Sequence, residues 1–333
     1  MNEIKRETVC GIVVTFNRKA LLKECLNALI EQTSPLTAIL IVDNASTDNT
    51  IEALLESGYI KELRARRTSD SCNSVFENNI KNSREKDIKI IYIQMNKNTG
   101  GAGGFYEGLK FAFKLGYEWL WLMDDDGKPD LFCLENILKY RAEDAVINSL
   151  VVDKNNHENL SFQILNPFTK ELISKREEVD SCAVNGMITG QAHFFNGTFF
   201  HRDVVKKAGL PMREMFIWGD EVEYTERLRD LGYSLNTCAS AIHYHPRARV
   251  LQRKIPIFGY NVNWQDNNLK NYCDIRNRAY INKKYFKKTL VISAIKYVVL
   301  FLMTRNFNDL KFWMGAYLDG VTEKWGGEMR FLK

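Results

Sequence analysis

Residues 119–130 read Trp-Leu-Trp-Leu-Met-Asp-Asp-Asp-Gly-Lys-Pro-Asp. The apolar run from Trp119 to Met123 is too short for a helix and stops at a polar turn containing Gly127 and Pro129, so it predicts a short buried strand. Three carboxylates stand where that strand ends. Alternate side chains of an extended backbone share a face, which lets Asp124 and Asp126 converge while Asp125 points elsewhere. Converging carboxylates repel unless a cation lies between them, and hard divalent ions prefer oxygen ligands. In open α/β sheets, ligands gather outside the carboxyl ends of the strands. The stretch therefore predicts a Mg2+ or Mn2+ site that also carries a phosphorylated ligand. The plainer reading is an acidic turn in water.

The sequence before this stretch repeats the strand pattern. Val9–Phe16 is a β-rich apolar run ending in Asn17-Arg18-Lys19, and Ala20–Ile30 follows with helical spacing at Leu21, Leu22, Cys25, Leu26 and Leu29. Ala38–Val42 predicts a second buried strand, ending in Asp43-Asn44-Ala45-Ser46-Thr47-Asp48, where Thr47 or Asp48 would cap the next helix. Arg64–Ser83 is polar and reads as a loop with a helical piece. Ile88–Gln94 is a third strand, leading through a glycine-rich loop at 96–105 to a helix from Tyr106 to Leu115. Alternating strands and helices predict a parallel sheet with right-handed crossovers and four strand-end loops on one edge. Gly100-Gly101-Ala102-Gly103-Gly104 fits neither G-x-G-x-x-G nor the Walker pattern. It either presents backbone N–H groups to a phosphate or makes a tight turn with close packing.

After Asp130, Leu131–Asp144 predicts a helix, Val146–Val152 and Leu160–Leu165 predict strands, and 183–200 reads as strands lining a pocket. His201–Ala208 reads as a helix. Asp220, Glu221 and Glu223 then open a helix that runs to Gly232. Carboxylates in a first turn suit the helix dipole, which alone accounts for them; the functional alternative is a general base beside an aromatic wall at Trp218. Ser234–Ile242 is the last strand and leads into His243-Tyr244-His245-Pro246, where an imidazole is well placed to bind metal. Tyr272–Lys288 is aromatic and basic, and Leu290–Leu302 is apolar. Lys283, Lys284, Lys287 and Lys288 beside such helices suit an anionic membrane surface, or equally a helical cap with solvated lysines.

Composition sets limits on this reading. At 333 residues, 45% hydrophobic and 26% charged, the chain supports one large or two modest folded domains. A net charge of +5 gives no reason to invoke nucleic acid. Seven scattered cysteines without a C-x-x-C pair fit a reducing compartment. Met1–Glu7 lacks the apolar core of a signal peptide, and no apolar run reaches the roughly 18–20 residues of a membrane span. The expectation is a cytoplasmic protein.

Val14-Thr15-Phe16-Asn17-Arg18, Asp43–Asp48, Asp124-Asp125-Asp126, Trp218-Gly219-Asp220-Glu221 and the terminal histidines occur in an order that resembles the GT-A glycosyltransferases of the large inverting family 2. Asn98–Phe105, Met123–Asp126 and Trp218–Tyr224 are similar to stretches of bacterial galactofuranosyltransferases and their rhamnosyltransferase relatives. Tyr272–Asn277 is similar to a tyrosine-rich Arg-Asn motif downstream of their catalytic domain. The resemblance covers residues 8–250 and implies an α/β, Rossmann-like, mostly parallel GT-A domain over 1–250. Its nucleotide-sugar half would run to about residue 130 and its acceptor half from 131 to 250, with a helical extension over 251–333. It implies that Thr15, Phe16, Asn17, Arg18, Asp43 and Asn44 hold the nucleotide, together with Asp125. Asn98, Gly100 and Gly101 would lie along the sugar nucleotide. Asp124 and Asp126 would bind Mn2+ or Mg2+, completed by a histidine: the family's spacing from the acidic motif selects His245 over His243. Glu221 is the expected base, with Asp220 second because family members usually carry Asp at the Glu221 position. Trp218 and Gly219 would face the acceptor.

The expected reaction moves galactofuranose from UDP-galactofuranose to a lipid-linked or oligosaccharide acceptor of a surface polysaccharide, with inversion. The alternatives are transfer of rhamnose from dTDP-rhamnose, a nucleotidyltransferase, and a non-catalytic sugar-nucleotide or glycan-binding module. Peripheral attachment to the inner face of the membrane and oligomerisation are both left open by the sequence.

Overall fold

A computed structural model describes residues 7–61, 66–67, 73–247, 252–254, 261–265 and 267–332. The chain forms two compact units, residues 1–210 with 227–248 and residues 211–226 with 249–333. Residues 211–226, which the sequence reading grouped with everything up to 250, thus belong with the C-terminal helices. The expectation for Met1–Arg6 and, within Arg64–Ser83, that for residues 64–65 and 68–72 lie outside the described residues.

The first unit alternates strands and helices. They are β1 (Val9–Thr15), α1 (Lys19–Ile30), β2 (Ala38–Asp43), α2 (Thr50–Glu56), β3 (Arg66–Arg67), β4 (Ser74–Lys81), β5 (Asp87–Gln94), α3 (Gly100–Leu115), β6 (Trp119–Asp124) and β7 (Lys128–Pro129). There follow α4 (Cys133–Leu138), β8 (Ala145–Asp153), β9 (Asn159–Leu165), β10 (Leu172–Lys175), β11 (Met187–Thr189), β12 (Asn196–His201) and α5 (Arg202–Ala208). Next come α6 (Asp220–Asp230), through which the division between units runs, and β13 (Ser234–His245). The sheet order is β10-β9-β8-β12-β6-β1-β2-β5-β4-β3, and β13 lies beside β8.

Its centre, β6-β1-β2-β5, is parallel, and antiparallel strands extend both flanks. Thr15 pairs with Asp43, Asp43 with Gln94 and Val14 with Asp124, so the four carboxyl ends share one edge. Every residue of β1 and β2 is buried, which is why these strands read as continuous apolar runs rather than alternating ones. α1 packs Leu22, Cys25, Leu26, Leu29 and Ile30 into the same core as Val13, Ile39, Ile41 and Trp121. This 3.6-residue stripe removes apolar area from water at about 25 cal/mol per Å2.

Three segments differ from the sequence reading. α3 begins at Gly100, not Tyr106, so the glycines form its first turns. Glycine disfavours a helix by about 1 kcal/mol relative to Ala, but here packing decides. A Cβ on Gly108 would lie 2.8 Å from Ile12 and 3.1 Å from Val42, and one on Gly104 would collide with Val14. Missing side chains are what let this helix lie close on β1. Ser74–Lys81 is a strand paired with β5, not loop or helix. Its alternation is hidden in the sequence because one inward residue is polar: buried Asn78 donates from Nδ2 to the carbonyls of Gly58 and Tyr59, both at 3.1 Å. The helix expected over Leu131–Asp144 shrinks to α4, whose buried Cys133, Leu134 and Ile137 exhaust the apolar face.

The second unit contains β14 (Gln252–Lys254) paired antiparallel with β15 (Asn261–Asn263), then α7 (Asn268–Tyr285), α8 (Lys287–Met303) and α9 (Phe307–Val321). Asn267 and Asn306 cap α7 and α9 by accepting from Lys270 N and Asp309 N. Phe216, Tyr272, Cys273, Ile275, Phe301, Trp313 and Ala316 form its core. Among the described residues, no helix is long and apolar enough to cross a membrane.

Candidate functional site

The carboxyl edge of the parallel strands is built from short polar loops that brace one another. Asn17, with φ of 54°, accepts from Thr47 N at 2.7 Å and donates its own N–H to Ser46 Oγ at 2.9 Å. Asn44 is buried, donates from Nδ2 to Gly100 O at 2.7 Å and accepts from Thr99 N at 2.8 Å. Asp43 is likewise buried, accepting from Ser46 N at 2.8 Å and from the Tyr92 hydroxyl. Asn98 Oδ1 takes the N–H of Gly100 at 2.8 Å, which shapes the entry into α3. Phe16 is 40% exposed at this edge. The residues of the first three loops are therefore gathered at one edge, and the space beside Gly101 is open: a Cβ there would meet nothing within 4 Å.

The three aspartates separate as an extended chain end requires. Asp125 is buried, where its carboxylate accepts from Thr15 Oγ1 at 2.7 Å and from Arg18 at 3.2 Å. Asp124 and Asp126 instead join His245, with ligand atoms of all three within 4.8 Å of one another. Pairing of β7 with β13, His243 opposite Pro129, carries the end of β13 to the aspartate turn. His245 Nε2 stands 3.1 Å from Asp126 Oδ1, and its Nδ1 lies 2.7 Å from Pro246 O. That carbonyl fixes a hydrogen on Nδ1 and leaves Nε2 to face the carboxylates, the arrangement common behind metal-binding imidazoles. His243 is fully buried and sits outside the cluster, where a Cβ on Gly127 or Gly197 would crowd it. A second trio, Glu143, His201 and Asp203, also brings ligand atoms together, but His201 Nδ1 is engaged by Asp203 N as the cap of α5.

Electrostatics mark the first trio as a place that favours a cation. Burial, then Asp126 and Asp125, push Asp124 up to about 7. Burial opposes ionisation of Asp126 as well, but His245 and Arg18 overcome it and hold Asp126 below the usual carboxylate range. His245 is moved in the complementary direction: burial lowers it, and Asp126 followed by Asp124 brings it above its ordinary value. Burial, then His245, pushes His243 down to about 3, so it is a neutral packed imidazole. Two carboxylates and an imidazole suit Mn2+ or Mg2+, with Mn2+ the more tolerant of nitrogen.

Trp218, Gly219, Asp220 and Glu221 lie in the second unit. The chain enters α6 through a contorted stretch. Phe216, with φ of 65° and ψ of −70°, makes a γ-turn of the rare form, closed by Ile217 N to Met215 O at 2.8 Å. Trp218 follows with φ of 59° and Gly219 with φ of 97°. Left-handed backbone at two aromatic residues costs on the order of 1–3 kcal/mol each and persists only where the surroundings over-determine it. Glu221 is half-buried and accepts the Gly219 N–H at 2.8 Å; Asp220 is 5% exposed. Glu223 is wholly buried and receives Lys284 Nζ at 3.0 Å and the Tyr285 hydroxyl at 2.9 Å. Trp218 stays 36% exposed, with the Lys270 ammonium 5.5 Å from its ring centre.

Sequence reasoning gave no role to two further buried polar residues, Arg276 and Asn277 on α7, which grip this stretch. Their signal in the sequence was the Arg-Asn pair that closes the Tyr272–Asn277 motif, to which the resemblance attached no function.

Residues 10–200 match the family model described as glycosyl transferase family 2. The chain is 29% identical over 326 residues to galactofuranosyltransferase GlfT1 of Mycolicibacterium smegmatis, covering 96% of this chain and 98% of that protein. It is 28% identical over 329 residues to galactofuranosyltransferase GlfT1 of Mycobacterium tuberculosis, covering 96% and 97%. Among solved structures, GalNAc-T7 with UDP, GalNAc and Mn2+ superposes with a TM-score of 0.55 at 12% identity, over 97% of this chain and 59% of that one. The fold expected from the sequence, an α/β GT-A sheet followed by helices, is the fold found.

Proposed function

Because the chain belongs to glycosyl transferase family 2 and is a glycosyltransferase, we propose that it transfers galactofuranose from UDP-galactofuranose to a glycan hydroxyl, with inversion. Within that family, the observation that carries the reading is the gathering of Asp124, Asp126 and His245 at the strand edge that also holds Asn17, Asp43 and Asn44. Similarity to two galactofuranosyltransferases over nearly the whole chain supports the donor.

In this reading the loops after β1, β2 and β5 bind the uridine and ribose, and the Asn98–Gly101 entry to α3 lies along the diphosphate and sugar. Thr15 and Arg18 hold Asp125, which fixes the turn from which Asp124 and Asp126 project. Those two carboxylates and His245 would hold Mn2+ or Mg2+, which when bound supplies positive charge beside the leaving diphosphate. Glu221 takes the proton of the acceptor hydroxyl as its oxygen bonds to C1 of the sugar. The C1–O bond to UDP breaks on the opposite face, giving inverted product, UDP and a proton on Glu221. Glu221 is placed ahead of Asp220 because its carboxylate is the more accessible to an incoming acceptor.

Incubating the protein with Mn2+, a glycan acceptor and either UDP-galactofuranose or dTDP-rhamnose decides the donor. Release of UDP together with an extended acceptor is expected from the first alone. Transfer from dTDP-rhamnose instead would move the assignment to a rhamnosyltransferase, pyrophosphate release from a nucleoside triphosphate would indicate a nucleotidyltransferase, and UDP binding without turnover would indicate a binding module.

The acceptor in this reading is lipid-linked and met at an anionic bilayer surface, on the cytoplasmic face. α8 exposes Val291, Ile292, Ile295, Val299, Leu302 and Met303, and it carries Lys287, Lys288 and Lys296 with no carboxylate. Exposed apolar area of this kind next to lysines suits the headgroup region of anionic lipid. The protein should pellet with phosphatidylglycerol-containing vesicles and much less with phosphatidylcholine alone, and I292D/I295D should abolish pelleting while the fold persists. Undiminished pelleting of the double variant, or loss of the exposed face to self-association in solution, would remove the membrane role.

A further inference from the structure

We infer that Arg276 and Asn277 of α7 are positioning residues for the general base, acting by holding the strained Glu214–Gly219 backbone from which Asp220 and Glu221 project. The inference rests on the proposed role of Glu221. It concerns two residues to which neither the reaction nor the expected site assigns anything.

The geometry is unusually one-sided. Arg276 Nη2 donates to the carbonyls of Glu214 at 3.0 Å and Met215 at 2.9 Å. Asn277 Nδ2 donates to Met215 O at 2.9 Å, Ile217 O at 3.1 Å and Trp218 O. Four of five consecutive carbonyls ahead of the base motif are thus taken by two adjacent side chains. Both side chains are fully buried. Arg276 Nε donates to Asn277 Oδ1 at 3.0 Å, which orients the amide, and Nη1 pairs with the buried Glu328. Trp325 and Tyr272 flank the guanidinium, with ring centres 4.9 and 5.3 Å away.

A buried guanidinium survives when its charge is paired and each N–H has an acceptor, and here a carboxylate supplies the first while backbone carbonyls share the second. Two residues in left-handed backbone would otherwise relax, because neither Phe nor Trp prefers it. Asn277 also leaves no room for another residue at 219, where a Cβ would stand 3.0 Å from the Asn277 Cβ. At the other end of α7, Lys284 and Tyr285 hold Glu223. Residues 277 and 284 are seven apart and share a helix face, so α7 contacts the base motif at two points along its length. A base must be held close to productive geometry to work, and displacement by about 1 Å costs on the order of 100-fold in rate.

The test uses the full chain with N277L, which keeps the branched shape and removes the donor, and R276K, which keeps the charge for Glu328 and loses the fork. Amide hydrogen exchange of residues 215–221 should speed up by about 10-fold or more in N277L while residues 10–200 are unchanged. This readout needs no substrate, so it stands even if the donor assignment fails, in which case the wild type itself would be inactive on UDP-galactofuranose. In the active enzyme, kcat for transfer should fall by about 10- to 100-fold, with KM for the sugar nucleotide within about twofold. The loss should nearly vanish when N277L is introduced into E221Q, because a positioning residue has no effect once its target is gone. Unchanged exchange in 215–221, or an equal fractional loss in both backgrounds, would overturn the inference and leave the pair as structural only. If N277L does not fold, the same comparison with R276K decides.

Discussion

E221Q is expected to lower kcat for glycosyl transfer by about 10²- to 10⁴-fold, the usual contribution of a positioned general base. KM for the sugar nucleotide should change little. The substitution keeps shape and the Gly219 N–H contact, since an amide oxygen accepts that bond as a carboxylate does. What it removes is the ability to take a proton. An acceptor hydroxyl is a poor nucleophile until its proton has somewhere to go, so the loss falls on the chemical step and not on binding. D220N should cost far less, because Asp220 is nearly inaccessible and sits where the helix dipole alone favours a carboxylate. A steady-state comparison of the two variants settles the assignment. A large loss in D220N with near-normal E221Q would exchange their roles, and near-normal activity in both would remove this motif from the chemistry.

The parallel centre of the sheet was legible because its physics is local. A strand buried on both faces must be apolar along its length, and Val9–Val14, Ala38–Val42 and Trp119–Met123 are. The ends of these strands were legible for the same reason, since polarity resumes where the chain leaves the core. Elements whose polar or small residues pack inward were not. Asn78 faces inward because two carbonyls satisfy it, and the glycines of α3 are helical because β1 approaches them. No window of sequence contains those partners. The division between His243 and His245 also depended on something outside the local pattern. They stand three residues and one residue before the same proline, yet His243 is enclosed near Gly127 and Gly197 while His245 faces the aspartates. Arg276 and Asn277 stood out as part of the Tyr272–Asn277 motif but their role did not, because their partners are backbone carbonyls some 60 residues earlier, as the separation of Asn277 from Ile217 shows. A buried arginine leaves no periodicity behind.

D124N should abolish the stabilisation that Mn2+ confers together with UDP, and reduce kcat by at least about 100-fold. Its effect on the cation-free protein should have the opposite sign. Asp124 is raised to about 7 by burial and by the carboxylates of Asp126 and Asp125. A group whose folded value exceeds its unfolded value contributes stability that is present below the unfolded value and lost as pH rises through the folded one. Above pH 7 the ionised Asp124 therefore weighs against the fold, and D124N should be more stable than wild type at pH 8 by something on the order of 1–4 kcal/mol. The difference should shrink toward pH 5, where Asp124 is itself protonated. The same sign governs the cation. Binding needs the Asp124 carboxylate ionised and His245 Nε2 without a proton, and His245 is also held above its ordinary value. Lowering pH below 7 must then weaken binding, by about tenfold per pH unit for each proton displaced. Calorimetric titration with Mn2+ at pH 6 and pH 8, in buffers of different ionisation enthalpy, measures both the affinity and the protons released. Affinity independent of pH, or a UDP-induced rise in melting temperature that needs no metal and survives D124N, would show that these three residues serve something other than a cation. The expected pattern, a substitution that strengthens the fold and removes the activity, is what a cluster of like charges held together for a ligand should give.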